Sequence, residues 1–76
     1  MSALSVQEIE NILLKDNEEF ARIYRKHREL DEQITKLEEL RHLTPEEEVQ
    51  EKTMKKDKLR LKDQLADMIN QYQAQQ

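Results

Sequence analysis

The sequence lacks the residues on which several common architectures depend. It has no cysteine, no glycine, one proline, two tyrosines and one phenylalanine among 76 residues. Without cysteine, disulfide bonds, thiol catalysis and thiolate-bound zinc are excluded. Without glycine, a glycine-rich phosphate-binding loop is excluded. No apolar run reaches the roughly 18 residues of a membrane-spanning helix, so we expect no membrane span.

The residues that are present favour long amphipathic helices. Charged side chains make up 39% of the sequence and apolar ones 36%, a balance typical of helices rather than sheets. The net charge of -4 argues against general nucleic-acid binding. The first 14 residues contain no lysine or arginine and no sustained apolar block of signal-peptide type. We therefore expect a cytoplasmic protein.

The stretch RHLTPEEEV, residues 41–49, predicts a corner in the chain. Thr44 is a good N-cap, Pro45 suits the first helical position, and Glu47 completes a capping box. Because proline disfavours helical geometry in the preceding residue, the helix before it should end near His42. A short connection favours antiparallel neighbours. A continuous helix kinked at the proline is the alternative.

Two further start signals divide the rest of the chain. Ser5 with Glu8 forms one capping-box pattern, and Asp16 with Glu19 forms a weaker one. We predict one domain over residues 1–76, with helices over about 6–15, 17–42 and 45–73 and a frayed tail at 74–76.

Apolar residues recur at steps of three and four along both long helices, as in a coiled coil. The predicted seam comprises Phe20, Ile23, Leu30, Ile34, Leu37, Met54, Leu61, Leu65, Met68 and Tyr72. We expect an all-α antiparallel hairpin with a short N-terminal helix. One hairpin buries few side chains, so we expect a homodimer that forms a four-helix bundle. The alternative is a three-helix monomer in which the N-terminal helix covers the open end of its own hairpin.

Residues with catalytic or metal-binding chemistry are sparse. The only serines are at the N-terminus, and no carboxylate pair is placed for acid–base work, so no enzyme activity and no cofactor are expected. Glu39 and His42 have the Glu-x-x-His spacing of helical di-iron sites. Glu39 would point about 140° from the buried face, however, and no second histidine stands at ligand spacing, so no metal site is predicted.

His27 occupies a seam position among apolar neighbours. The simplest interpretation is a core histidine that is hydrogen-bonded to Asp31, one turn further along the helix. Alternatively, His27 and Asp31 form a polar core position that fixes pairing register or responds to pH.

Basic residues concentrate in two blocks, residues 22–28 and 52–62. In the hairpin these blocks are expected at the same height, forming a basic band that could contact a partner or an anionic ligand. The alternative is an ordinary solvated pattern of helical ion pairs. The band consists of Arg22, Arg25, Lys26, Arg28, Lys55, Lys56, Lys58, Arg60 and Lys62.

Two stretches, F..IYRKHRELDEQI from Phe20 and MKKDKLRLKD from Met54, resemble the YdcH-like family of small bacterial proteins, a domain of unknown function. The resemblance covers about residues 10–70. It implies a small bacterial helical hairpin that self-associates, and no enzymatic activity is assigned to the family. Glu18 stands where relatives often have a proline. The resemblance implies no role for the matching positions, which are His27, Leu30, Asp31, Lys58, Leu59, Leu61, Lys62 and Asp63.

The sequence thus predicts a non-enzymatic interaction or assembly module, with self-association and an unidentified protein partner. The alternative function is an accessory protein that binds nucleic acid or another anionic ligand through the basic band.

Overall fold

The computed structural model of the chain describes residues 4–75 and consists of three helices. Helix α1 spans Val6–Asp16, α2 spans Glu18–Glu38, and α3 spans Pro45–Ala74. No strand occurs within residues 4–75. Helix α3 extends one residue beyond its predicted end, and Gln76, in the predicted frayed tail, lies outside the described residues.

Capping side chains start each helix. The capping boxes predicted at Ser5 and Thr44 are both present, and Pro45 is in the first turn of α3. The cap predicted at Asp16 is wrong by one residue, because Asp16 belongs to α1. Asn17 adopts extended geometry instead, and its side chain accepts a hydrogen bond of 3.0 Å from the amide of Phe20. One asparagine therefore separates α1 from α2.

The predicted end of α2 near residue 42 is also wrong. Helix α2 ends at Glu38, and residues 39–44 form the connection to α3. The last turn closes with backbone bonds from Glu39 to Thr35 and from Leu40 to Leu37. A tight helix end commonly needs a left-handed residue, usually glycine, and no described residue has positive φ. The chain therefore reverses over six residues instead of about two.

The two long helices form an antiparallel hairpin, and α1 packs against both of them at its open end. The side chains of Ile9 and Phe20 are fully buried there, and the buried side chains of Leu13 and Ile69 complete this core. Around this core pack the partly buried side chains of Leu4, Leu14, Tyr24, Leu65, Met68 and Tyr72. This is the cis arrangement considered for a three-helix monomer, and it buries one end of the seam.

The other end of the hairpin has no third helix. We call residues 30–62 the distal half, because the core residues that α1 contacts lie outside this range. Ile34 is its one buried apolar side chain. The remaining seam positions Leu30, Leu37, Met54 and Leu61 are half-buried. The molecule is a rod of 52 × 20 × 17 Å in which only one end has a three-helix core.

Candidate interaction surface

A groove runs between α2 and α3 and is bordered by Glu10 of α1; we call it the central groove. Its volume is about 530 Å³. Tyr24, Leu65 and Ile69 contribute apolar surface, while charged side chains from all three helices complete the lining. The charged residues are Glu10, Arg28, Asp31, Lys58 and Lys62.

An ion pair joins the two long helices across this groove. The ammonium group of Lys58 donates a hydrogen bond to Oδ1 of Asp31. The two side chains are 33% and 56% exposed, respectively, so water screens the pair. The hydrogen bond from Lys58, with its charge, holds the pKa of the Asp31 carboxyl below its usual value. The pair links one position of α2 to one position of α3, and its exposure limits what it adds to stability.

His27 lines the same groove but lacks the hydrogen bond predicted for it. Its Nε2 atom is buried and has no partner among the described residues. Asp31 binds Lys58 instead, because an ammonium reaching across from α3 forms a charge-assisted bond, which is stronger than a neutral one. His27 therefore carries an unpaired polar atom, which costs free energy in a partly buried position.

The predicted basic residues do not form a single band. Arg28, Lys58 and Lys62 line the central groove. Lys26 and Arg60 line another groove of about 250 Å³, together with Leu30, Asp57 and Leu61. Successive residues on a helix are about 100° apart, so a block of bases spreads around its helix.

Arg22 and Arg25 lie apart from the other bases, in a groove where α1 meets α2. That groove, about 700 Å³, is also lined by Lys15, Glu18 and Glu19, and the two acids offset part of its positive charge. The two basic blocks were expected to lie side by side. Only residues 26–28 of the first block and 58–62 of the second lie close to each other.

Lys55 is paired with acids. It lies 3.3 Å from Glu51, one turn earlier on α3, and 3.9 Å from Glu38 on α2. Lys56 is exposed and forms no ion pair with another described residue. Arg28 and Lys62 likewise have no ion-pair partner within residues 4–75. Among the nine predicted basic residues, only Lys55 and Lys58 are in ion pairs within residues 4–75.

The Glu-x-x-His spacing of Glu39 and His42 does not place the two side chains on one face of a helix, because neither residue belongs to a helix. Both residues follow the end of α2, and both are exposed. Over the described range, no group of three or more histidine, aspartate or glutamate side chains is arranged to hold a metal ion. Within that range, no helix combines the length and apolar character that crossing a membrane requires.

Fold and grooves together define a small all-helical protein, a hairpin of two long helices with a short helix across its open end. The family model described as "Protein of unknown function (DUF465)" matches residues 20–69. The chain belongs to this family, which confirms the resemblance to YdcH-like proteins. No curated protein and no solved structure matches the chain. The two stretches that carried the resemblance face each other, since His27 and Asp31 share the central groove with Lys58 and Lys62.

Proposed function

We propose that this chain is a non-enzymatic assembly module, acting in the bacterial cytoplasm, that forms a homodimer through its distal half. Two hairpins packed side by side over that half form a four-helix bundle, in which each copy covers the apolar stripe of the other. The dimer then presents its remaining charged helical faces to a protein partner.

One observation carries this proposal: the apolar stripe of the hairpin continues beyond the part that α1 covers. In the distal half the seam residues Leu30, Leu37, Met54 and Leu61 are only half-buried, and Ile34 alone is buried. Leu59 and Val49, which are 59% and 64% exposed, add apolar surface on the outer side of α3. Two helices without a third layer leave such a stripe half open. A small domain of this kind gains stability from association, because a second copy removes apolar surface from water.

Concentration dependence tests the proposal. Sedimentation equilibrium should show a monomer–dimer equilibrium, and the melting temperature should rise with protein concentration over about a hundredfold range. A mass equal to one chain, with a constant melting temperature over the same range, would contradict self-association.

A second candidate function is the binding of an anionic ligand, such as nucleic acid, at the central groove. Its specific support is that Arg28 and Lys62 line the groove without an ion-pair partner among the described residues. The apolar lining and the acids Glu10 and Asp31 make the groove less suited to a phosphate chain than an uninterrupted basic track.

Binding assays separate the two candidates. Fluorescence anisotropy with single-stranded RNA, duplex DNA and anionic vesicles should show binding that weakens with salt if the second candidate holds. Arg28→Gln with Lys62→Gln should then remove that binding. For the first candidate, capture from a cell extract should recover a protein partner that resists both nuclease and high salt.

A further inference from the structure

The distal half contains two adjacent segments of opposite charge. We call residues 38–51 the acidic tip: six glutamates and one arginine give it a net charge of -5. We call residues 52–62 the basic segment: six basic residues and one aspartate give it a net charge of +5. The facing part of α2, residues 30–37, carries only -1, so the excess of positive charge persists at that level.

This distribution distinguishes between the ways in which two copies can pair. A parallel dimer places acid against acid and base against base, which is repulsive at both levels. A dimer with a two-fold axis across the rods, near residue 52, places the acidic tip of each copy against the basic segment of the other. A two-fold axis makes the interface self-complementary, so one attractive contact implies a second.

The apolar surface supports the same pairing. Val49 is in the acidic tip and Leu59 is in the basic segment, and both are exposed. A two-fold axis near residue 52 places Val49 of one copy level with residue 55 of the other, about one helical turn from Leu59. The end covered by α1, whose core is already closed, stays outside the overlap.

We infer that two copies of this chain dimerise antiparallel through their distal halves, with the acidic tip of each copy lying on the basic segment of the other. This inference rests on the proposed function, because it specifies the partner surface of the proposed homodimer. Residues 45–62 of α3 span about 26 Å at about 1.5 Å per residue. Two rods of 52 Å that overlap over this length give a dimer about 78 Å long.

Charge exchange between two variants tests the pairing. One variant carries Glu39→Lys and Glu48→Lys, which takes the net charge of the tip from -5 to about -1. The other carries Lys56→Glu and Lys62→Glu, which takes the net charge of the segment from +5 to about +1. All four side chains are exposed, and none is in an ion pair or cap side-chain bond within the described residues. Each variant alone should dimerise at least about tenfold more weakly than the unmodified chain, because the attraction at both contacts is strongly reduced.

An equimolar mixture of the two variants should recover part of the lost affinity. One contact of the mixed dimer keeps the charges -5 and +5 of the unmodified chain, and the substituted tip and segment face each other in the other contact. From the net charge of -4, the two variants carry about 0 and -8, so overall attraction cannot explain such recovery. Sedimentation with one variant fluorescently labelled measures the heterodimer, and circular dichroism checks that each variant is helical.

A matched control is Arg22→Glu with Arg25→Glu, which makes the same change in net charge as the segment variant but near α1. It should leave the dimerisation constant within about twofold. If the unmodified chain dimerises but the mixture fails to recover affinity, or if the control weakens dimerisation equally, the antiparallel pairing is overturned. If the unmodified chain stays monomeric at all concentrations, the proposed function itself fails.

Discussion

At the scale of single residues, the ion pair between Asp31 and Lys58 gives the hairpin a small, pH-dependent contribution to stability. Because the pKa of Asp31 in the folded chain is lowered, its charged form is favoured by folding. The resulting stabilisation is fully present above the unfolded-state pKa of about 3.9 and is lost as the pH falls through the lower folded-state pKa.

We therefore expect Asp31→Asn to remove part of the acid sensitivity of the fold. Urea unfolding of the unmodified chain and of Asp31→Asn, measured between pH 7 and pH 2, should differ in free energy at pH 7 and converge at the acidic end. The exposed neighbour Glu32, which has no ion-pair partner in the described part, gives the control Glu32→Gln. Parallel curves for the unmodified chain and Asp31→Asn would show that the pair contributes no pH-dependent stability.

The unpaired Nε2 of His27 leads to a second prediction. Replacing His27 with leucine removes a buried polar atom without a partner and adds apolar contact, so the free energy of unfolding should rise by about 1 kcal/mol. His42→Leu, in the exposed connection, should change it by less than about 0.5 kcal/mol. If His27→Leu instead destabilises the fold or alters the association state, His27 helps to fix the register in which the helices pair, beyond filling space in the core.

The partner of Asp31 illustrates why the site was only partly predictable. Spacing along one helix placed His27 and Asp31 one turn apart, which is a local property. The competing donor, Lys58, comes from another helix, and its reach depends on the register of α2 against α3. If α3 were shifted by one turn along α2, Lys58 would no longer lie opposite Asp31. Periodicity along α2 therefore could not predict whether His27 or Lys58 would bind Asp31.

At the scale of helices, side-chain caps carry much of the information on where elements begin. The capping box at Thr44 supplies two hydrogen bonds, of 2.9 and 3.1 Å, between Thr44 and Glu47. Thr44→Ala should therefore lower the free energy of unfolding by about 1 kcal/mol. Thr53→Ala, at an exposed position inside α3, should lower it by less than about 0.5 kcal/mol or raise it slightly. Chemical denaturation at neutral pH measures the free energy of unfolding of both variants. Equal losses in the two variants would show that the Thr44 cap does not stabilise the fold.

Helix starts could be predicted more closely than the end of α2, and the reason is chemical. Capping boxes have a fixed three-residue spacing, so Ser5 and Thr44 identify the starts of α1 and α3 directly. An end marked by glycine would have been equally visible, but this chain has none. The early end of α2 at Glu38 depends instead on the length that the chain needs to reverse direction before Pro45, which no local pattern encodes.

At the scale of the whole molecule, the hairpin could be predicted from the position of the proline and from the two apolar stripes. The distribution of basic residues over several grooves could not be predicted, because it depends on the rotation of each helix about its own axis. Arg22 and Arg25 face the α1–α2 corner, whereas Arg28 faces α3. A linear count of charge could therefore predict two positive blocks but not the surface that each one reaches.

The exposed apolar residues give a test of the whole assembly. Leu59, in the distal half, and Val6, on α1, are 59% and 55% exposed. Because both contribute little to the monomer core, Leu59→Asp and Val6→Asp should each change monomer stability by less than about 1 kcal/mol. Only Leu59→Asp should weaken self-association, by about tenfold or more, since it places a carboxylate in the proposed apolar interface. Sedimentation equilibrium measures both constants; equal weakening by the two variants would move the interface away from the distal half.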